Sequence, residues 1–505
     1  MNLDWHMAAP LLVLAAAGSA LLLLALRRGA TGNGLPYGLA LGGLGLSALT
    51  VVSLLADASS QRSAFGGMLV MDRPALLMAG IVLGAAALAV LLSRQYLQRS
   101  PAPVCEYYAL ILFAAVGMIA MAATNNLVVM FVGLEVLSVA LYVLVGITRT
   151  WERALEASMK YFILGAFSTA FILYGMAFLY GVTGSLDLMS MGRSLNGMGI
   201  GKGAAGAGAM ILLGVSLMMV GLAFKIAAVP FHWWAPDVYE GAPTPVTAFM
   251  AVGTKGVAFV ALLRVMTVAF GNVLVPRWTL ALAVLALLSM VLGNLVALTQ
   301  RNVKRMLAYS AVAHAGYLLV AVAAGSDLGS SALLFYFASY LLTTVGAFGV
   351  TALVAETGQG GDEGYGLLRY AGLGRSHPAL ALAMTIFMIS LTGVPPTSGF
   401  LGKYFIFQAA MERALAGSGL FLILAAAGLL TSVVSAAYYL RVVVVMYMQK
   451  PDGEIPHIHT AFDAGLALGV AAAGILLLGL FPSFIYGFTR NVHSALQALA
   501  LMLAS

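Results

Sequence analysis

Lys225-Ile-Ala-Ala-Val-Pro230-Phe-His232-Trp-Trp-Ala-Pro236 closes an apolar run that begins near residue 207, and its two prolines break any helix built from that run. Proline removes a backbone donor, and its ring clashes with the preceding turn. In hydrocarbon a freed backbone group is tolerated only where protein or water satisfies it. The same pattern returns at Thr392-Gly-Val-Pro395-Pro396-Thr-Ser-Gly399, followed by Lys403. Each break therefore carries a lysine within a few residues. Paired interruptions at corresponding positions point to a transporter site between inverted repeats.

The 505 residues are 62% apolar and only 9% charged, with a mean hydropathy of +1.00. That excludes a water-soluble domain, since about 20 apolar residues span one bilayer. Fourteen hydrophobic segments follow, near 9–27, 36–55, 74–93, 107–123, 126–147, 158–181, 207–228, 244–270, 279–299, 304–324, 331–355, 379–411, 419–447 and 463–488. The fold class is an all-α polytopic membrane protein, a single integral membrane domain over 1–505. The breaks fall fourth in two runs of five segments, helices 4–8 (107–270) and 9–13 (279–447), a pattern that predicts two inverted repeats. No connecting loop is long enough to make a domain. The opening Met1–Arg28 has an apolar run like a signal peptide, but lacks positive charge before it and reads as a retained first helix.

The pI of about 9.4 is not a nucleic-acid signal, because no basic run or basic face exists. One set of loops holds fourteen of the 25 lysines and arginines and the opposite set holds seven; the other four lie inside segments. The richer side is expected to be cytoplasmic, with both termini outward. The single cysteine, Cys105, excludes an intramolecular disulfide framework and any cysteine-ligated zinc or iron–sulfur site carried by this chain alone.

Glu135, Lys225, Lys255 and Lys403 each sit inside a long apolar segment. A charge at the bilayer centre costs roughly 2.5–3.5 kcal/mol on insertion scales, so a retained one marks an ion or proton pathway. Glu135 and Lys225 are natural partners, and moving them apart would let the lysine release its proton. The alternative is a static ion pair joining two helices. Lys255, in Gly253-Thr-Lys255-Gly256, is central in its segment; the alternative there is snorkelling to an interface. His314, mid-segment, suits a proton relay between Lys255 and Lys403, and His232 beside the first break is a second candidate; either could instead be a packing histidine. Arg264 reads as a snorkelling arginine near the outer surface. His457 and His459, with Asp452 and Glu454, make a poor metal site. Gly201-Lys-Gly203-Ala-Ala-Gly206 matches a dinucleotide fingerprint literally, but no strand precedes it and no acidic residue follows at the required spacing. No nucleophile–base arrangement, Walker loop or redox signature appears.

Two long motifs carry a family resemblance. Gly221-Leu-Ala-Phe-Lys225 through Pro236-Asp237-Val-Tyr-Glu240-Gly-Ala-Pro-Thr-Pro245, together with Gly393-Val-Pro-Pro-Thr-Ser-Gly-Phe-Leu-Gly-Lys403, resembles the antiporter-like membrane subunits of respiratory complex I, the proton-translocating NADH:quinone oxidoreductase. The resemblance covers essentially the whole chain. It implies that Glu135 and Lys225 form the inner pair of one half-channel and that Lys255 is the central lysine. Lys403 fits the N and L branches, since the M branch typically has glutamate there; a chain with no long lateral helix after the core fits the N branch. The resemblance further implies other membrane-arm subunits as partners, antiporter-like ones among them. It assigns NADH, FMN, Fe–S clusters and quinone to partner subunits, with no cofactor or metal in this chain. Two rival readings are a subunit of a multisubunit cation/proton antiporter and a non-transporting membrane scaffold.

Overall fold

A computed structural model describes residues 4–26, 34–56, 63–198, 205–271, 273, 275–355, 362–451, 458–490 and 492–496. Most of the Gly201–Gly206 motif and of the 452–459 polar loop lies outside the described residues. The helices, in chain order, are α1 Trp5–Ala25, α2 Gly34–Ala56, α3 Arg73–Arg99, α4 Val104–Ala122, α5 Leu127–Val145, α6 Glu152–Thr183, α7 Leu188–Gly197, α8 Ala205–Lys225, α9 Trp234–Gly241, α10 Thr244–Arg264, α11 Val275–Thr299, α12 Val303–Ala324, α13 Asp327–Ala355, α14 Leu373–Ser376, α15 Pro378–Thr392, α16 Ser398–Leu415, α17 Gly419–Met448, α18 Phe462–Leu480 and α19 Ser483–Thr489. Among the described residues thirteen helices are long and apolar enough to cross a membrane. The α15–α16 pair, interrupted at 393–397, supplies the remaining expected crossing.

A helix that is apolar all round belongs in the interior rather than at a surface. Every residue of α10 is buried, and α12 and α13 nearly so, whereas most residues of α1, α2, α17 and α18 are not buried against the rest of the chain. Helix α12 lies in the middle of the protein, in contact with α9, α10, α11, α13, α16 and α17.

Lipid is as apolar as leucine, so membrane helices associate through close packing at small residues. Helices α4 and α5 meet backbone to backbone: a Cβ on Gly117 would lie 2.5 Å from the Leu137 nitrogen, and one on Gly133 2.7 Å from the Met121 nitrogen. Helices α11 and α12 do the same, through Gly293 against Ala313 and Gly316 against Met290. Both α5 and α12 also begin alike. Asn126 and Asn302 cap them by accepting from Val128 (2.9 Å) and Arg305 (3.2 Å), and each asparagine forms an isolated antiparallel bridge to a later loop, at Asp187 and Gly366.

Two features escape the sequence reading. A two-residue hairpin, β1 Ser63–Ala64 with β2 Leu69–Val70, joins α2 to α3 and is pinned to the end of α4 by Val70 N–H donating to the Ala123 carbonyl (2.8 Å). The second concerns Arg264, which does not snorkel: its side chain is fully buried. Its Nε donates to the Ala122 carbonyl (2.9 Å), Nη1 to Asn125 (2.9 Å), and Nη2 meets the Asp72 carboxylate. Five planar donors that never lose their charge suit such a site. The arginine ties the end of α10 to the α4–α5 joint and to the cap of α3, where Asp72 also accepts from Ala75 N–H (3.1 Å).

Removing one partner of a buried ion pair leaves the other uncompensated and costs about 3–5 kcal/mol. Arg264→Leu should therefore lower the thermal unfolding midpoint sharply. Adding Asp72→Asn, which removes the charge and keeps the cap, should recover most of the loss. Additive losses in the double variant would show that the two side chains act independently.

Candidate functional site

Both breaks satisfy their freed backbone groups with protein atoms. After α8 ends at Lys225, Ala227 adopts φ +57, Val229 N–H donates to Ser289 Oγ of α11 (2.9 Å), and Trp234 Nε1 donates to the Phe224 carbonyl (2.9 Å). At the second break Gly393 has φ +89, a conformation that suits glycine. There Lys403 itself covers the exposed Thr392 carbonyl with its ammonium (2.9 Å).

Helix α12 organises the remaining charged groups. Lys255 of α10 donates to the Ala311 carbonyl (2.7 Å), and His314 sits one turn further. Lys403 of α16 lies 5.2 Å over the ring of Tyr317, the next turn again. Three positions at a spacing of three residues advance by about 4.5 Å per step. The contacts of Lys255, His314 and Lys403 thus follow one another along a single helix. All three side chains are buried. His314 meets Tyr439 Oη through Nε2 (3.0 Å) and Tyr336 Oη through Nδ1.

Lys225 stands apart from this file. Its ammonium donates to Ser138 Oγ (2.8 Å) and reaches Tyr142 Oη (3.5 Å), both on α5. It forms no ion pair with Glu135 in this structure, although Ser138 is one turn from that carboxylate; Glu135 Oε1 is buried without a hydrogen-bond partner. The expected close pair is therefore open, because a nearer neutral hydroxyl takes the ammonium. Between Lys225 and Lys255 stand aromatic rings rather than hydrogen bonds. Lys225 lies 5.9 Å from Tyr161, Tyr161 stacks on Trp234 at 4.8 Å, Trp234 meets Tyr239 at 6.1 Å, and Lys255 lies 6.0 Å from Tyr239. His232 is buried at the break, stacked on Trp233 at 5.5 Å; its Nδ1 has no hydrogen-bond partner and it joins neither lysine.

The Pro236–Pro245 motif also builds a charged cluster that the sequence reading did not single out. Asp237 accepts from Lys160 (2.8 Å) and Arg305 (2.9 Å), and Glu240 from Arg305 (2.6 Å) and Asn302 (2.8 Å). These residues, with Arg153, Glu156 and Arg301, line a cavity of about 540 Å³. Lys304, at the start of α12, is fully buried: its ammonium donates to the Glu240 (3.0 Å) and Ala242 (2.7 Å) carbonyls and lies 4.4 Å over Tyr365. The cluster clasps α9 onto the start of α12. The signal was present in the acidic residues of the motif, but their basic partners lie more than 60 positions away in sequence.

Paired broken helices, with a file of buried lysines strung along an intact helix between them, define a polytopic ion-translocating membrane subunit. The chain belongs to the NADH:quinone oxidoreductase/Mrp antiporter transmembrane family, whose model matches residues 124–435. It is 47% identical over 429 residues to NADH-quinone oxidoreductase subunit N of Trichlorobacter lovleyi, covering 85% of each chain. It is 41% identical over 496 residues to subunit N of Chloroflexus aggregans, covering 97% of each. Among solved structures it resembles a chain of respiratory complex I from Thermus thermophilus, with a TM-score of 0.77 and 39% identity over 95% of this chain and 98% of that one. A chain of the Mrp complex from Dietzia shares the fold, with a TM-score of 0.85 at 20% identity over 99% of both.

Asp237 lies outside the apolar segments. Burial alone would push its carboxyl up, but the hydrogen bonds and charges of Lys160 and Arg305 outweigh this and hold it below the usual carboxylate range. A depressed value means the clasp stabilises at neutral pH and is lost only as pH falls through that lowered range. With all three side chains part-exposed, Asp237→Asn should cost up to about 1 kcal/mol at pH 7. Unfolding midpoints of wild type and variant should converge in acid. Identical midpoints at pH 7 would remove the clasp from the account.

Proposed function

We propose that this chain is a proton-translocating membrane-arm subunit of an NADH:quinone oxidoreductase. Protons move through Glu135, Lys225, Lys255, His314 and Lys403, driven by quinone reduction in partner subunits. The observation that carries this reading is the sequence of contacts along α12: Lys255 on Ala311, then His314, then Lys403 against Tyr317. None of Lys225, Lys255 and Lys403 forms an ion pair among the described residues; each ammonium rests on a neutral oxygen. A scaffold whose charges only fixed helix register would pair them. That neutral setting favours transport over the scaffold reading.

In this reading 107–270 and 279–447 are two inverted repeats. The matched asparagine caps, the matched glycine contacts and the two breaks support the division. Glu135 receives the coupling signal on α5. Its unpartnered oxygen and the open Lys225 are one state of a switch whose other state is the closed pair. His232 tunes the first break beside this switch. Lateral transfer to Lys403 then carries the proton through the second repeat. The subunit sits in a bacterial inner membrane with both termini periplasmic, as the loop charges suggest. Its partners are other membrane-arm subunits, antiporter-like ones among them; NADH, FMN, the Fe–S clusters and quinone belong to the partner subunits.

Moving one charge against 100 mV requires about 2.3 kcal/mol, so a missing step cannot be bypassed cheaply. Lys403→Ala should impair pumping far more than assembly. The check is the proton-to-electron ratio of the purified complex in vesicles, with co-purifying flavin and Fe–S absorbance reporting assembly. A wild-type ratio in a fully assembled Lys403→Ala complex would remove that residue from the path. Glu135→Gln should likewise uncouple, and unchanged pumping there would favour the scaffold.

A further inference from the structure

His314 is held between two tyrosine hydroxyls from different helices. Nε2 lies 3.0 Å from Tyr439 Oη of α17, and Nδ1 meets Tyr336 Oη of α13. The Tyr439 hydroxyl also meets Ser310 Oγ, one turn back on α12. All four side chains are buried. At one end, Ser310 adjoins Ala311, whose carbonyl receives the Lys255 ammonium. At the other, the Tyr336 ring lies against Gly402, where a Cβ would come within 2.7 Å of it, and Gly402 directly precedes Lys403. A continuous hydrogen-bonded file of side chains therefore runs from the Lys255 end of α12 toward Lys403.

A neutral imidazole has one N–H and one bare nitrogen, while a hydroxyl both donates and accepts. Between two hydroxyls, one tyrosine must accept from the ring N–H and the other must donate to the bare nitrogen. Exchanging tautomers reverses both roles. We infer that Ser310, Tyr439, His314 and Tyr336 form a proton wire, in which the two tyrosine hydroxyls carry the proton to and from the imidazole. The inference rests on the proposed function above and extends it to residues outside the charged file.

Each transfer is a simple exchange of bonds. A proton reaching Ser310 releases the serine proton to Tyr439. Tyr439 passes its own proton to Nε2, where an N–H bond forms. The Nδ1–H bond then breaks toward Tyr336, whose hydroxyl hands its own proton to a water between it and Lys403. One proton advances, and nothing is oxidised or reduced. The transfer leaves the ring in its Nε2–H tautomer, and the hydroxyl and imidazole N–H bonds must reorient before a second proton follows. These are fixed side chains, so the relay is positioned by packing.

Phenylalanine keeps each ring in place and removes only the oxygen. The test compares Tyr439→Phe and Tyr336→Phe with Lys403→Ala and with Tyr340→Phe. The Tyr340 ring lies 5.5 Å from that of His314, but its hydroxyl is not on the file. NADH-driven proton uptake and its solvent deuterium isotope effect are measured in vesicles carrying the whole purified complex, with co-purifying subunits confirming assembly. Tyr439→Phe and Tyr336→Phe should each lower proton uptake roughly tenfold or more and change the isotope effect, while Tyr340→Phe leaves both unchanged. If the two wire variants pump within about twofold of wild type and Lys403→Ala does not, the wire is wrong and the proposed function stands. If Lys403→Ala also pumps normally, the proposed path through Lys403 fails, and the wire that leads to it fails with it. An equal loss in Tyr340→Phe would make the tyrosines packing residues and overturn the wire.

Discussion

A lipid interior can neither hydrate a charge nor pair a stray backbone group, and each feature of this protein answers to that restriction. Helices that cross it must satisfy their own hydrogen bonds. Where prolines forbid this, other side chains step in: Ser289 and Trp234 at the first break, Lys403 at the second. The same restriction acts on the charged groups. Lys255 and Lys403 survive in the interior because backbone carbonyls accept from them, one within α12 and one at the end of α15.

Two kinds of buried cation result, and their surroundings divide their work. Arg264 cannot lose its charge, and it is fixed by a carboxylate at the cap of α3 and by an amide and a carbonyl at the α4–α5 joint. That is an arrangement for holding helices together. Lys255 and Lys403 rest on neutral carbonyls and lie against aromatic faces, and neither forms an ion pair among the described residues. A group that must give up a proton is better placed on a neutral acceptor than in a permanent ion pair. The acidic partners that Lys225 and its neighbours lack are found at the Asp237–Glu240 clasp and at Asp72, where charge serves attachment.

Much of this architecture was legible in the residues. The crossings, the two breaks and the lysine beside each break follow from composition and proline chemistry along short stretches. The central place of Lys255 followed from its position in an uninterrupted segment. Arg264 was misread because its position near a segment end resembles that of a snorkelling side chain; its partner Asp72 is 192 residues away. Glu135 and Lys225 were complementary in type, yet Ser138 on the same face as Glu135 takes the ammonium instead. The tyrosines around His314 gave no signal, since an aromatic residue in a membrane helix ordinarily reads as core.

The sequence by itself determined that this chain lives in a bilayer, how often it crosses, where its helices break and which ionisable groups must be accommodated inside. Those are local properties, set by hydropathy and by backbone donors present or missing over some twenty residues. Only the tertiary structure decided which groups touch: that α12 is the common rail for Lys255, His314 and Lys403, that Arg264 is locked to Asp72, and that Tyr336 and Tyr439 flank one imidazole. Such contacts depend on how each helix is rotated about its axis and how closely its neighbours approach. That is fixed by packing at sites such as Gly117, Gly133, Gly293 and Gly316, and no short stretch of sequence encodes it.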